Sequence, residues 1–492
     1  MSHLLKNRRY IIFSVKFFLL TLFSIIFFRS INNYPGSKIV YLLFSLVSFY
    51  LIIFSFRKKA IFFETFFGVY LFLGFWFKTS LIFFLETGFS EGISSEKINI
   101  VDHIDYALII SIVGFSGFLI AGHFRENFFY YPFIINKTNH NDFYKKYRKI
   151  ILITFLIFII ILGFFNWHLK IYQKGLVSEE FNFILSGIIK TLLLYGLTVG
   201  SAIIFFLEIT TYKKIFPFTI FVSFLETFIT TTSMLSRGFF FNIGSLFFGL
   251  YKFSNKIKIK LNLKFFFKVL IFLIIFSFIS IFVVNYTRLH IDNEKTYLGK
   301  KEYSLKNILG NQNQFSNSEK VYLTLIQIKH LLVHRWVGID AAIIVSANKN
   351  NLNFNLLKDS LNERFDLKSH SFYENTFKLK PFNINNSATF IKGNTLPGLI
   401  AYLFFSGSFV FLFFSMMLIS FLAFIFEFIS FRLLSHNLIF SAIIGHTIAY
   451  RFAHFGYLPS QSYLLFGSII GIILLIYFVK IIFKKKFFNI KK

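Results

Sequence analysis

The chain has 492 residues, of which 55% are hydrophobic, 22% aromatic and only 15% charged, whereas a soluble protein carries about a quarter charged residues. It contains no cysteine, which excludes disulfides, thiol catalysis and cysteine-ligated metals. A formal net charge of +30 would indicate nucleic-acid binding in a soluble protein. In a chain this apolar, the charge is better explained by lysines and arginines that hold loops on the cytoplasmic side of a membrane. We therefore expect an integral membrane protein with no nucleic-acid partner.

Long apolar blocks recur along the whole chain, and about 20 consecutive apolar residues cross a bilayer as a helix. Blocks such as "ILITFLIFIIILGFF" at 151–165 lack the polar–apolar alternation of a membrane β-barrel strand. The sequence therefore predicts an all-α polytopic membrane protein. The predicted spans, about twelve in all, cover residues 10–28, 39–56, 61–85, 105–122, 149–166, 186–207, 215–235, 238–251, 265–285, 403–430, 437–453 and 462–481.

The charges of the connecting loops alternate between the two sides. Most basic loops and the basic tail fall on the side of the N-terminal "KNRR", whereas the acidic loop 86–105 falls on the opposite side. Since lysine and arginine mark cytoplasmic loops, we expect both termini in the cytoplasm. The basic loops are at 57–59, 125–149, 212–214, 252–264 and Arg432.

One connection is much longer than the others, because residues 286–395 contain no predicted span. The alternation places this segment outside the cytoplasm. The chain then divides into a membrane bundle of about nine helices, this extracytoplasmic loop, about three C-terminal membrane helices and a basic cytoplasmic tail. These regions are 1–285, 286–395, 396–483 and 484–492.

The long loop has its own pattern. Residues 319–347 carry apolar side chains at helical spacing, which predicts one or two amphipathic helices lying near the bilayer surface. Residues 359–368 indicate another short helix. The asparagine-rich stretch 379–399, interrupted by Pro381 and Pro397, indicates a loop.

Arg237 is the one charged residue in "TTTSMLSRGFFFNIGSLFFGLY" at 230–251, in a short connection at the outer end of two predicted spans. Charges beside the hydrocarbon are costly, so they are usually paired or face a wet cavity. One interpretation is a snorkelling anchor or an ion-pair partner. The other is an anion site, because arginine fits phosphate bidentately, Gly238 permits close backbone approach, and the next helix contributes its positive N-terminal end.

Further basic side chains are predicted on the same outer side. Each one alone has a structural explanation, such as an ion pair between Arg335 and Asp340, or between Arg364 and a neighbouring carboxylate. Together they indicate an anionic headgroup bound at the boundary of the outer leaflet. The set comprises Arg288, His334, Arg335, Arg364, Arg451 and His454.

Other chemistries find little support in the sequence. His330 and His334 have the i, i+4 spacing of a metal pair, but no third ligand is evident, so we expect no metal. No glycine-rich phosphate loop or Asp-x-Asp pair occurs, so we expect no cofactor. Glu226, Lys190 and His446 suggest a proton relay, although mutual neutralisation of Lys190 and Glu226 explains two of the three.

Four stretches occur in a distinctive order: "SRG" at 236–238, the long late outer loop, "HRWVGIDA" at 334–341 within it, and "GNTLPGLIAYLFFSGSFVFLFFSMM" at 393–417, which returns to the membrane. In this combination, and in hydropathy over the whole chain, the sequence resembles the Wzy-type O-antigen polymerases, also called oligosaccharide repeat unit polymerases. The resemblance implies a GT-C-like fold. O-antigen ligases have a similar plan, so the ligase stays open, although "GNTLPG" and "HRWVGID" favour the polymerase.

The resemblance implies a metal-independent glycosyltransferase in the bacterial inner membrane. Its substrates would be undecaprenyl-pyrophosphate-linked oligosaccharide units, polymerised at the outer face into O-antigen or capsule. A chain-length regulator and other export proteins are further candidate partners. We expect Arg237 and Arg335, with Arg288 and Arg451, to bind the pyrophosphate, and His334 or His454 to serve as the base. The alternative from another class is a transporter, such as a flippase for the same lipid-linked sugar.

Overall fold

The computed structural model describes residues 2–89, 100–128, 142–174, 183–259, 263–294, 334, 336–363, 371–377, 379, 396–434, 437–456 and 459–482, with some side chains near helix ends excepted. Within these ranges the chain is helical, and no strand occurs. The expectation of an all-α protein is therefore confirmed.

Eleven helices form the N-terminal part of the described chain, and two of the predicted spans contain a short π-helix. Leu73–Phe77 is the π-helix between α3 and α4, and Leu192–Gly196 is the π-helix between α7 and α8. The helices are α1 Ser2–Asn32, α2 Lys38–Ser55, α3 Phe62–Phe72, α4 Lys78–Leu85, α5 Ile100–Phe128, α6 Asp142–Leu169, α7 Phe183–Thr191, α8 Leu197–Tyr212, α9 Pro217–Ser233, α10 Phe239–Lys256 and α11 Leu263–Glu294.

Seven more helices follow in the second part. Three of them lie in the range predicted as the outer loop, and α15 is a short helix that precedes the re-entry of the chain. The helices are α12 Ile339–Ala347, α13 Phe354–Leu361, α14 Phe372–Thr376, α15 Gly398–Leu403, α16 Phe409–Leu433, α17 Leu438–Ala453 and α18 Pro459–Ile482.

Seven helical segments of the described chain are long and apolar enough to cross a bilayer. This confirms a polytopic pattern. The other predicted spans also lie in helices, namely α1, α9, α10, α17 and α18, and their crossing of the membrane stays a prediction. The seven segments are Lys38–Ser55, Phe62–Leu85, Val101–Asn127, Phe143–Leu169, Leu185–Tyr212, Val269–Thr287 and Phe409–Leu433.

Helix α17 lies at the centre of the bundle. Thirteen of its sixteen residues are buried, and it packs against α3, α8, α10 and α16. Asn437 caps its N-terminus by accepting hydrogen bonds from the backbone N–H groups of Ile439 (3.0 Å) and Phe440 (3.2 Å). Because α17 is held on several sides, side chains at its C-terminal end are placed by the whole bundle.

One end of the bundle is fastened by arginine–carboxylate pairs, and we call it the carboxylate end. Arg125 binds Glu64 through Nε (2.7 Å) and Nη2 (2.9 Å). Arg148 Nη2 lies 2.6 Å from Glu208 Oε1. Arg57 binds Glu64 at 3.0 Å and also binds Glu126. These pairs join the loops that the sequence predicts to lie together on the cytoplasmic side.

The predicted outer loop begins and folds differently from expectation. Helix α11 runs on to Glu294, past the expected boundary at 285. Helix α12 is not amphipathic: eight of its nine residues are buried, and it packs against α5. The prediction of a surface-lying helix is therefore wrong for this part. The short helix expected at 359–368 is found earlier, as α13, while 364–370 lies outside the described residues.

Candidate functional site

Arg237 lies in a tight turn that joins α9 to α10, at residues 234–238, which we call the Arg237 turn. The N–H of Ser236 donates to the carbonyl of Thr231 at 2.7 Å, and Leu235 adopts a positive φ of 50°. This 6→1 bond with a left-handed residue resembles a Schellman C-cap. Leucine is disfavoured in that conformation, so the turn holds local strain just before Arg237.

The guanidinium of Arg237 is oriented by a neighbouring helix. Its Nε donates to Asn285 Oδ1 of α11 at 2.8 Å, and Asn285 is fully buried. An amide acceptor fixes the direction of the guanidinium without cancelling its positive charge. This contact adds no negative charge beside Arg237 and is compatible with the anion-site interpretation.

Lys174 is a second cation at the Arg237 turn, and sequence reasoning missed it. Its Nζ donates to Ser236 Oγ at 3.0 Å and lies 5.5 Å from the ring centroid of Tyr450. The backbone N–H of Lys174 donates to the carbonyl of Met234 at 2.9 Å. The available signal was a lysine shortly after a span on a predicted outer loop.

The chain before Lys174 is bound to α9 as well. Asn166 Nδ2 donates to the carbonyls of Tyr172 (3.1 Å) and Ser233 (2.9 Å), and its Oδ1 accepts the N–H of Tyr172 at 2.8 Å. Asn166 is fully buried. The end of α6 and the end of α9 therefore form one hydrogen-bonded unit that presents Lys174 and Arg237 together.

The C-terminal end of α17 brings aromatic rings to the same place. Tyr450 and His454 stack with their ring centroids 4.2 Å apart. Nδ1 of His454 lies 3.0 Å from the Tyr450 carbonyl, which can only accept a hydrogen bond. The Nδ1 proton is therefore fixed, and Nε2 is left as the basic nitrogen of the neutral ring. Arg451 turns towards α18, where its Nε donates to Ser462 Oγ at 2.8 Å.

Trp336 of the "HRWVGIDA" stretch joins this group through Phe241 of α10. The rings of Phe241 and Trp336 meet edge to face at 5.9 Å, and Phe241 lies 5.0 Å from Tyr70. Tyr70 lies 5.8 Å from Tyr450. We call the four half-buried rings of Trp336, Phe241, Tyr450 and His454 the aromatic face. It runs from the outer-loop segment to the neighbourhood of Lys174.

The segment that carries His334 and Trp336 is held by Lys78, the first residue of α4. Lys78 Nζ donates to the carbonyls of His334 (2.9 Å) and Trp336 (2.8 Å) and to Asp340 Oδ2 (2.6 Å). The sequence suggested Arg335 as the partner of Asp340. The ion pair that the structure shows for Asp340 is with Lys78, and both side chains are buried.

His334 itself is half-buried. Burial and the nearby Lys78 ammonium lower the pKa of His334 below its ordinary value of 6.5. A histidine with a lowered pKa is neutral at pH 7, which is the form required of a general base. His334 is therefore a candidate base on its pKa, and His454 is a candidate on the orientation of its ring.

Other predicted site residues are placed less completely. Arg288 lies on α11, three residues after Asn285, and its side chain is outside the described part. Arg335, Arg364 and His330 lie outside the described residues. Among the residues that the structure describes, no three His, Asp or Glu side chains are grouped as they would be around a metal ion.

The expected pairing of Lys190 with Glu226 is wrong. Glu226 accepts hydrogen bonds from the hydroxyls of Thr198 (3.1 Å) and Thr227 (3.0 Å). The ammonium of Lys190 lies 5.7 Å from the ring centroid of Tyr172. His446 is hydrogen-bonded to Tyr70 at 2.7 Å. The described contacts of these groups do not link them into a proton relay.

Comparison of the chain with models of protein families, with curated proteins and with solved structures returned no match.

Proposed function

We propose that the chain polymerises undecaprenyl-pyrophosphate-linked oligosaccharide units into a surface polysaccharide at the outer face of a bacterial inner membrane. One observation carries the proposal: Lys174 and the Arg237 turn are hydrogen-bonded together, and Lys174 reaches the aromatic face at Tyr450. Cations beside partly exposed rings suit a ligand that combines a phosphate with a sugar. The proposed plan is GT-C-like, with about twelve spans and both termini in the cytoplasm.

The cations would act on the leaving group. Transfer of a glycan breaks the anomeric C–O bond and sends negative charge onto the pyrophosphate of the lipid carrier. Fixed donors that stabilise this charge more in the transition state than in the ground state accelerate the reaction. Arg237 offers a planar fork for two phosphate oxygens, while Lys174 offers a compact point charge. These groups would supply the stabilisation without a divalent metal.

The aromatic face would hold the sugars. The C–H faces of pyranose rings are apolar and pack against aromatic rings, while a polar edge such as the indole N–H can take a hydroxyl. The face lies within one bundle and touches Lys174, so a glycan packed on it would have its linking phosphate near Arg237. The pyrophosphate linkage would supply the free energy of glycan transfer, so the reaction would not require ATP.

The acceptor hydroxyl needs a base within hydrogen-bond reach. His334 is a candidate because its pKa is lowered and its ring is neutral at pH 7. His454 is a candidate because the Tyr450 carbonyl fixes the proton on Nδ1. The proton removed from the acceptor hydroxyl would pass to the histidine and then to solvent or to the released pyrophosphate.

The test is a deletion of the gene, followed by gel analysis of the surface polysaccharide. If the protein is a polymerase, the deletion strain should carry lipid capped with single repeat units. Retained lipid-linked polymer without any capping would identify a ligase, and repeat units trapped on the cytoplasmic leaflet would identify a flippase. Purified protein given lipid-linked repeat units should also form a ladder of polymers and release undecaprenyl pyrophosphate.

A further inference from the structure

We infer that Lys78 is a positioning residue: its ammonium docks His334 and residues 336–340 onto the membrane bundle and thereby sets where His334 and Trp336 lie. The docking is independent of what the protein does. The consequence for catalysis rests on the proposed function, because it assumes that His334 and Trp336 face the substrate. Lys78 itself need not touch the substrate.

The first support is the bonding of Lys78. A lysine ammonium has three N–H donors, and three acceptors on the docked segment surround this one: two backbone carbonyls and the carboxylate of Asp340. The exposed fraction of the side chain is 0% for Lys78 and 1% for Asp340. A buried charge is tolerated when it is paired and hydrogen-bonded, so the fit of this segment to Lys78 is tightly specified.

The second support is the close approach of the two backbones. A Cβ added at Gly74 would lie 2.0 Å from the carbonyl oxygen of Val337, and Gly338, at a φ of 155°, leaves no room for one beside the Gly74 carbonyl (2.8 Å). Gly74 belongs to the π-helix that immediately precedes Lys78. Single-turn π-helices often occur at functional positions, and this one shapes the surface on which the segment sits.

The third support is the continuation of the docked segment. It leads directly into α12, which is buried against α5, with Ser346 Oγ donating to the carbonyl of His103 at 2.7 Å. On the other side of Lys78, Trp336 meets Phe241. The docked segment therefore connects the firmly packed helix α12 to the aromatic face. If Lys78 no longer held this segment, Trp336 would be the ring of the aromatic face that moves.

The experiment uses the full-length protein, whose natural sequence is free of cysteine. One pair of cysteines at Phe241 and Trp336 reports on the docked segment, since these rings are in contact. A second pair at Phe354 and Phe411, whose rings are 5.2 Å apart, reports on a contact away from Lys78. Cross-linking in membranes by a short bifunctional thiol reagent measures both distances.

Lys78→Met is the test variant, and Lys190→Met is the matched control, because it also removes one lysine from a helix of the bundle. We expect Lys78→Met to lower the 241–336 cross-linking rate about tenfold, equivalent to about 1.4 kcal/mol, with the 354–411 rate unchanged. Lys190→Met should change neither rate. If Lys78→Met protein does not accumulate, Asp340→Asn should lower only the 241–336 rate, by a smaller factor.

An unchanged 241–336 rate in Lys78→Met would overturn the docking role, and so would an equal fall in both rates, which indicates general unfolding. Polymer synthesis from lipid-linked repeat units is measured in parallel on protein without the cysteine pairs, which keeps Phe241 and Trp336. If the wild-type protein makes no polymer while the cross-linking follows Lys78, the proposed function fails and the docking stands. If polymer synthesis persists when the 241–336 contact is lost, the segment is docked but does not serve the reaction.

Discussion

Arginines in two regions of the bundle are held by different kinds of hydrogen-bond acceptor. At the carboxylate end, Arg125 and Arg148 are bound by buried glutamates at 2.6 to 2.9 Å. At the other end, the Nε atoms of Arg237 and Arg451 donate to the neutral oxygens of Asn285 and Ser462. A carboxylate acceptor offsets the charge of an arginine, whereas an amide or hydroxyl oxygen fixes its direction without adding a negative charge at that contact.

This difference distinguishes the arginines bound to carboxylates within the fold from the arginines that we propose to bind an anion. Glu427 strengthens the distinction, because its carboxylate accepts the N–H groups of Phe62 (2.9 Å) and Phe63 (2.8 Å) at the start of α3, at the carboxylate end. Glu427 therefore also serves the fold, because it caps the N-terminal end of α3. The contrast makes mutations at the two ends distinguishable by stability and by activity.

The largest effect is expected at the carboxylate end. Arg125→Met leaves Glu64, which is 4% exposed, without its bidentate partner. Removing one member of a buried ion pair costs about 3–5 kcal/mol. We expect a marked loss of thermal stability in detergent, measured by unfolding of the purified protein, with activity lost only as the fold is lost. A wild-type melting temperature would show that the pair does not hold this end together.

Arg237→Ala should reverse this pattern. The loss of stability should be smaller than for Arg125→Met, about 1–3 kcal/mol, because the acceptor left behind is a neutral amide, while loss of a donor to developing charge costs about 2–4 kcal/mol of barrier. Arg237→Lys should fail nearly as badly, since a point charge does not reproduce the fork. Polymer length on gels and turnover of purified protein give the measurement. Polymer of normal length in the lysine variant would contradict the bidentate role.

Asn285→Asp would give Arg237 the kind of arginine–carboxylate pair that occurs at the carboxylate end. The change keeps the shape of the side chain but gives Arg237 an anionic partner. We expect stability to be retained and turnover to fall by about tenfold or more, a barrier increase of about 1.4 kcal/mol. Asn285→Ala is the comparison variant, because it removes the orienting bond without adding charge. Full activity of Asn285→Asp would mean that the charge of Arg237 is not used.

The smallest expected effect concerns pH. A base acts in its neutral form, so activity is lost as pH falls through its pKa, and the lowered pKa of His334 keeps the ring neutral to lower pH. If His334 is the base, the acidic limb of the polymerisation rate has its midpoint below about 6.5. The rate of the purified wild-type protein from pH 5 to pH 9 measures this. A midpoint clearly above 6.5 would favour another group.

The sequence predicted the helices well because the signal is local. Apolar runs mark the helical segments without knowledge of any partner, and the caps that the structure shows at Asn437 and Ser408 bind backbone N–H groups only two or three residues away. The prediction failed for Ile339–Ala347, where apolar residues at helical spacing suggested a surface helix. This helix is buried because α5 packs against it. Helix α5 lies more than 200 residues earlier in the chain, so the local sequence does not reveal the contact.

For the candidate site, the sequence singled out Arg237 because a lone charge in apolar surroundings is visible in one dimension. It did not reveal Lys174, whose role follows from bonds to Ser236 and Met234, or Lys78, which binds Asp340. For Asp340 it suggested only the neighbouring Arg335, which lies outside the described residues. Pairings such as these join residues that are 62 and 262 positions apart, so spacing along the chain carries no information about them.

The sequence by itself determined that this protein is helical and that several of its helices are long and apolar enough to cross a membrane, because the length and composition of each apolar run fix those properties. The tertiary structure decided which oxygen atoms accept hydrogen bonds from each arginine. The physical reason is that the state of a buried charge depends on the groups within hydrogen-bond distance, and in this protein those groups come from distant helices. The carboxylate end and the Arg237 turn use the same residue type, arginine, and differ only in what the fold places beside it.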